Sequence, residues 1–147
     1  MLDESRIDVY DYIYELLSNS IEEGIYLMNV PKELTEDDVK DGFIVLNIHE
    51  IADNSEFDRQ TYAGVRCFIQ AYVPTKSRGR VDEAKYKSFE SSIDEIIYNE
   101  IDNGSNDKYT ILSDGIISGD DVINTSQGNT FYIYTKSFIV VIDNIDS

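Results

Sequence analysis

The chain has 147 residues, of which 41% are hydrophobic, and it carries a formal net charge of −17. This length predicts one domain, residues 1–147, with a single core, and the acidic excess disfavours binding to free nucleic acid or to anionic membranes. Its one cysteine, Cys67, cannot form an intrachain disulfide, which excludes a disulfide-built secreted module. No apolar run approaches the ~18–20 residues of a membrane span, and the acidic start "MLDESRIDVYD" lacks the basic flank of a signal peptide. We therefore expect a protein that is made and kept in a cytoplasm.

The first half of the chain is expected to hold a helix followed by strands. Apolar residues at helical spacing predict the helix from residue 5 to about 20. One short strand and two longer strands rich in β-branched residues are expected at 25–30, 43–51 and 61–73. Long acidic loops, which are often functional or mobile, are expected between these strands at 32–42 and 52–60.

The second half of the chain is expected to hold one more helix and two more strands. An apolar stripe predicts a helix over 82–102, where Asp82 and Glu83 suit the positive end of the helix dipole. Strands are expected at 109–117 and 130–142. Consecutive strands favour antiparallel pairing. The predicted class is α+β, with two helices packed on one face of a mainly antiparallel sheet of four to five strands, in the order α-β-β-β-α-β-β.

Few residues in the sequence are candidates for catalysis or for binding a metal or cofactor. His49 is the only histidine, and neither a second histidine nor a nearby cysteine completes a zinc site. Cys67 alternates with apolar residues, which indicates a small buried side chain, although a Cys–His nucleophile pair with His49 is possible if their strands are neighbours. The acidic turns at 102–107 and 114–121 lack the ligand spacing of an EF-hand, and no phosphate-binding glycine motif occurs. We expect no enzyme activity, no metal site and no cofactor.

Positive charge is concentrated in the segment "PTKSRGRVDEAKYK" at 74–87, which holds five of the 12 basic residues. Pro74 and Gly79 predict a loop in its first half, and Lys85 and Lys87 are expected to be solvated residues of the helix that follows. The cations that remain in the loop are Lys76, Arg78 and Arg80. Either these cations only keep the chain soluble, or they dock onto an acidic partner. A nucleic-acid site is disfavoured because the rest of the chain is acidic.

Two long segments together carry a resemblance to a known family. The strand "GVRCFIQAYV" runs into the basic loop and then into the helix "VDEAKYKSFESSIDEIIYNEI". Upstream, "GIYLMNVPKELTEDDVKDGFIVLNI" combines a short strand, a loop with a proline and a β-rich strand. In this layout, over most of residues 5–142, the chain resembles the tail-terminator and head–tail completion (neck) proteins of tailed bacteriophages. It departs from the simplest members in its extended acidic loop at 32–42 and in its strong net charge.

The resemblance implies a structural virion protein. Such proteins form closed rings, typically hexamers, that end the growth of the tail tube and join the tail to the head, while genome DNA passes through the ring without specific binding. The implied partners are further copies of the chain and the tail-tube and neck or connector proteins, with no membrane and no cofactor. The implied location is the tail or neck of a virion that assembles in the bacterial host cytoplasm. The alternatives are another neck adaptor or baseplate assembly protein and, less favoured, a small enzyme or ligand-binding domain.

A ring of this kind makes specific demands on its subunit surfaces. A closed ring repeats one heterologous contact, in which one surface of a subunit meets a different surface of the next. Complementary charges would guide the two surfaces together. The candidate contact residues are the cations of the basic loop and the acids of the segment "ELTEDD", namely Lys76, Arg78, Arg80, Glu33, Glu36, Asp37 and Asp38. An acidic channel wall would also repel the phosphates of DNA.

Overall fold

The computed structural model describes residues 4–50, 62–76, 80–103, 109–113, 120–124 and 130–143. These residues form three helices and six strands. In chain order the elements are α1 Glu4–Ser18, β1 Gly24–Leu27, α2 Glu36–Asp41, β2 Phe43–Glu50, β3 Tyr62–Pro74, α3 Glu83–Asp102, β4 Tyr109–Ser113, β5 Asp120–Asn124 and β6 Thr130–Asp143. No helix in these ranges is long and apolar enough to cross a membrane.

The strands form one mixed sheet that is five strands wide. Its order is β1-β2-β3-β6-β4, and β5 also pairs with β6. Strand β4 lies opposite residues 138–142 of β6, whereas β5 lies opposite residues 130–134, so the two short strands share one edge of β6 end to end. Strand β1 runs parallel to β2, and the pairs β2–β3, β3–β6, β4–β6 and β5–β6 are antiparallel.

The α+β class is confirmed, but the predicted element order and pairing are wrong in three respects. Helix α2 lies inside the segment 32–42 that was expected to be a loop. Strand β5 lies in the segment expected to link the last two strands. The sheet is mixed because α2 carries the chain back between β1 and β2, so the two strands start at the same end. The predicted acidic loop at 52–60 is outside the described residues.

The main core lies between the sheet and two of the helices. Helices α1 and α3 pack on the same face of the sheet, through the stripes Val9, Ile13, Leu17 and Phe89, Ile93, Ile97. Alternate residues of the strands face these stripes, as the period of two in a strand requires. On β3 they are Val65, Cys67, Ile69, Ala71 and Val73. The prediction that Cys67 is a small buried side chain that alternates with apolar residues is confirmed.

A smaller core lies on the opposite face, at the end of the sheet where β2 begins and β3 ends. It consists of Phe43, Val45, Tyr72, Phe131 and Ile133, covered by Tyr26, Val30 and Leu34. The rings of Phe43 and Tyr72 stack with centroids 4.7 Å apart. The connection from β1 to α2 therefore folds over this face and is anchored there by its own apolar side chains.

The start of β2 requires a glycine. Gly42 has a φ of 89°, in the left-handed region, and a Cβ built on it would lie 2.5 Å from the carbonyl oxygen of Tyr72. Any other residue would force β2 and β3 apart at this end. Gly42 thus brings α2 into close contact with the end of β3, and this close approach positions the site described next.

Candidate functional site: an acidic cleft beside a basic loop

An acidic cleft opens between the start of β1, helix α2 and the first turn of α3. The cavity has a volume of about 560 Å³. Its charged lining residues are five carboxylates and one amine, namely Glu22, Glu23, Asp37, Asp38, Asp41 and Lys85. Within the described residues, these acids do not form a group that could hold a metal ion.

Lys85 connects two sides of the cleft. Its ammonium Nζ lies 2.5 Å from Glu23 Oε2, and both side chains are largely shielded from solvent. The same Nζ lies 5.5 Å from the centroid of the Phe89 ring. The pair joins residues 62 positions apart and holds the first turn of α3 against the chain that enters β1. The prediction of Lys85 as a solvated helix residue is therefore wrong, because its partner is distant in sequence.

Asp38 is buried in the wall of the cleft, with 3% of its surface exposed. Its Oδ2 accepts a hydrogen bond of 2.6 Å from the Tyr26 hydroxyl and one of 3.1 Å from the backbone N–H of Thr35. The Thr35 hydroxyl accepts in turn from the Asp38 N–H at 3.1 Å, which completes a capping box at the start of α2. The hydrogen bond to Asp38, and then burial, raise the pKa of Tyr26 to about 12.

The other acidic contact candidates lie close together on the surface. Glu33 precedes α2, and Glu36 and Asp37 form its first turn. All three are exposed, and Asp37 also lines the cleft. The structure thus brings three of the four predicted acids together as accessible charges, while Asp38 stabilises the helix on which two of them lie.

The basic loop is closed by backbone contacts. Thr75 and Val81 form an isolated antiparallel bridge, and the N–H of Lys76 donates a hydrogen bond of 2.6 Å to the carbonyl oxygen of Arg80. The side chains of Lys76 and Arg80 are both exposed, and Lys76 Nζ lies 3.9 Å from Asp82 Oδ1. Arg78, the third predicted cation, lies outside the described residues.

A second cavity of about 660 Å³ opens beside this loop, and we call it the basic pocket. It is lined by Lys76, Arg80, Val81, Glu83 and Ala84. The basic pocket and the acidic cleft meet at the start of α3, because Glu83 and Ala84 line one and Lys85 lines the other. Two surfaces of opposite charge therefore flank one helix end.

The possible Cys67–His49 pair is excluded by the register of the sheet. Cys67 is opposite Ile48, whereas His49 is opposite Arg66, so the two side chains lie on different faces of the sheet. Cys67 is buried in the main core, and burial raises the pKa of its thiol well above the ordinary value, which disfavours the reactive thiolate. The His49 ring packs edge-on against Phe68, with centroids 5.5 Å apart.

Comparison with known proteins does not identify a family for this chain. No protein-family model and no curated protein matches the chain. Five residues that line the cleft with charged or aromatic side chains were not identified from the sequence, namely Glu22, Glu23, Tyr26, Asp41 and Lys85. The spacing of Thr35 and Asp38 is a capping-box pattern and could have indicated α2, whereas the contacts of Tyr26 and Lys85 depend on the tertiary fold and have no local signal.

Proposed function

We propose that the chain is a structural subunit of a ring at the tail or neck of a tailed bacteriophage. In this proposal the ring ends the growth of the tail tube, joins the tail to the head and lets genome DNA pass. The sequence resemblance to tail-terminator and neck proteins supports it. The structural observation that carries it is the pair of oppositely charged surfaces, the acidic cleft and the basic pocket, on the two sides of the start of α3.

Two different surfaces on one subunit are what a heterologous contact requires. If the basic pocket of one subunit meets the acidic cleft of the next, every subunit uses each surface once, and the chain of contacts closes when the rotation fits. Complementary charges mainly orient the encounter and raise its rate rather than its affinity. We therefore assign the charges to the selection of the correct neighbour.

The strong net charge is part of the same proposal. With a net charge of −17 per subunit, an assembled ring carries a large negative potential. Such a potential repels DNA phosphates and lowers non-specific binding, so DNA can move through the ring without adhering to it. Tight binding of duplex DNA by the assembled ring at moderate salt would falsify this element of the proposal.

The assembly is tested by reversing one charge in each surface. Arg80→Glu places like charges at the contact, which is costly, and should impair ring formation, as measured by light scattering after size-exclusion chromatography and by electron microscopy. Asp37→Lys in the same chain should restore it. Lys87→Glu is the matched control, because Lys87 is an exposed cation of α3 that lines neither cavity. Equal assembly of the Arg80 and Lys87 variants contradicts the contact.

The position in the particle requires a second measurement. Purified tail tubes should be capped by the ring and should stop growing. Binding to portal or adaptor rings alone would instead indicate a neck adaptor, and a chain that remains monomeric with both templates would contradict the ring function.

A further inference from the structure

Two consecutive apolar side chains are exposed where β1 ends. Leu27 is 44% exposed and Met28 is 42% exposed. They lie at the end of the edge strand β1, the same strand whose first residues line the acidic cleft. Single exposed apolar residues are ordinary, but here two are adjacent and one of them, Met28, has an unusual backbone conformation.

Met28 has a left-handed backbone conformation, with a φ of 76°. For a residue with a Cβ this conformation costs roughly 1–2 kcal/mol, and it persists only where the surroundings enforce it. Here the Met28 N–H donates to the Leu46 carbonyl at 2.8 Å, and the Asn47 side-chain amide donates to the Met28 carbonyl at 3.2 Å. These two bonds to β2 hold the turn in place, so the apolar pair is presented on a fixed backbone.

The basic pocket has the complementary character. Val81 and Ala84 supply apolar surface, and Lys76 and Arg80 supply positive charge beside one exposed carboxylate, Glu83. Lys76 lies 3.9 Å from Asp82, so Arg80 is the main cation open to a partner. Within the described residues no acid pairs with the Arg80 guanidinium. A partner that fits this pocket presents an apolar group with acids beside it.

The β1 edge of the same chain has this combination. Leu27 and Met28 are apolar, and the acids Glu36 and Asp37 lie on α2, which Tyr26 ties to β1 through Asp38. We propose that Leu27 and Met28 of one copy insert into the basic pocket of a second copy, against Val81 and Ala84, with the acids of α2 facing Lys76 and Arg80. This proposal rests on the proposed ring function and specifies its subunit contact.

The partner is a second copy because the two surfaces match each other in charge and in apolar character. In a head-to-tail arrangement each subunit uses one surface with each of two neighbours, so the contact repeats. A reciprocal dimer would instead use both surfaces with one neighbour, and it would crosslink only to dimers. Apolar burial supplies affinity and the charges supply orientation, so Met28→Asp should weaken self-association by roughly tenfold or more.

The test is disulfide trapping in the full-length chain. Met28→Cys and Ala84→Cys are combined in one chain, the pocket variant, and the natural Cys67 does not interfere because it is buried. Under mild oxidation the pocket variant should give a ladder of covalent oligomers on denaturing gels, and reductant should abolish it. Each single variant alone should remain uncrosslinked. Met28→Cys with Ser88→Cys, another exposed position of α3, is the matched control variant and should give less product.

The outcomes separate the docking proposal from the ring function. Rings that assemble normally, with no more crosslinking in the pocket variant than in the control variant, overturn the docking and leave the ring. Covalent dimers from Met28→Cys alone overturn it as well, because they indicate a symmetric contact. A wild-type chain that stays monomeric with tail tubes and portal rings overturns the ring function and the docking together.

Discussion

The Tyr26 hydroxyl donates a 2.6 Å hydrogen bond to the carboxylate of Asp38, and this bond joins the edge strand β1 to helix α2. The same carboxylate oxygen also accepts from the backbone of Thr35 at the start of α2. One buried acid therefore caps the start of a short helix and fixes this helix to the sheet. The exposed acids of α2 depend on this arrangement for their position beside the cleft.

Asp38 and its neighbour Asp37 should differ sharply when each is replaced by alanine. Asp38→Ala removes half of the capping box and leaves the Tyr26 hydroxyl without its acceptor, so we expect a loss of ~1–3 kcal/mol in the free energy of unfolding. Asp37→Ala changes an exposed side chain and should cost less than ~0.5 kcal/mol. Urea unfolding measures both, and equal values would contradict the structural role of Asp38.

The Tyr26–Asp38 bond should also make stability depend on alkaline pH. The pKa of Tyr26 rises from 10.0 to about 12 in the folded chain, first through the hydrogen bond to Asp38 and then through burial. Because folding favours the protonated phenol, this stabilisation is fully present below pH 10 and is lost as the pH rises through about 12. Wild type should therefore lose its stability advantage over Tyr26→Phe across this interval. Tyr14→Phe, at an exposed position, is the control, and an equal loss of advantage over that variant would contradict the role of the Tyr26–Asp38 bond.

The buried Tyr134 connects α3 to the sheet. The Tyr134 hydroxyl donates to Asp94 Oδ1 at 2.5 Å, and Lys136 Nζ lies 3.5 Å from the same oxygen. Burial and then the bond to Asp94 raise the pKa of Tyr134. Tyr134→Phe should lower the free energy of unfolding by ~1–2 kcal/mol. Tyr98→Phe is the control, since the hydroxyl of the exposed Tyr98 accepts a hydrogen bond from Lys136 at the edge of this cluster. A larger loss of stability in Tyr98→Phe than in Tyr134→Phe would argue against the central role of Asp94.

Replacement of Met28 by glycine and by alanine should give variants of different stability. Alanine keeps the strain of a Cβ at a φ of 76°, whereas glycine adopts this conformation without steric cost. We expect Met28→Gly to be more stable than Met28→Ala by ~1 kcal/mol in urea unfolding. The usual order, with alanine more stable, would show that the left-handed turn does not persist in solution.

The charge of Lys85 should affect assembly more than it affects folding. Lys85→Gln removes the cation that lines the acidic cleft and should cost only ~1 kcal/mol of stability, because glutamine keeps a hydrogen-bond donor for the largely shielded carboxylate of Glu23. The cleft becomes more negative, so ring assembly through a basic neighbour should be favoured, most clearly at low salt. Lys87→Gln should leave assembly unchanged. Weaker assembly of the Lys85 variant would contradict an attractive role for the cleft.

Periodicity predicted those parts of the fold in which a single face is buried. The alternation along β3, from Val65 to Val73, and the stripe of α3 through Phe89, Ile93 and Ile97 both match the core. Helix α2 was not predicted because its six residues are too few to show the helical spacing of apolar residues. Strand β5 was not predicted because its sequence, "DDVIN", begins with two acids. Its place in the sheet depends on pairing with β6, which a local sequence pattern does not show.

The candidate site was predictable only in part. The basic loop and the acidic segment stand out as charge clusters in the sequence, and the structure shows that each lines a cavity at the start of α3. Burial of Asp38 could not be read from charge alone, since Asp37 beside it is exposed. The pairing of Lys85 with Glu23 joins two distant segments and follows from the packing of α3 against the sheet.

Strand β6 holds the two halves of the sheet together. It pairs with β3 along 13 positions on one side and with β4 and β5 on the other, so β4 and β5 join the sheet only once β6 has inserted beside β3. Before that step, the long edge of β3 lies open to strands of other chains, as unpaired edges do. Folding of this protein thus depends on a sequence-distant pairing, and variants that delay insertion of β6 should aggregate before they lose measurable equilibrium stability.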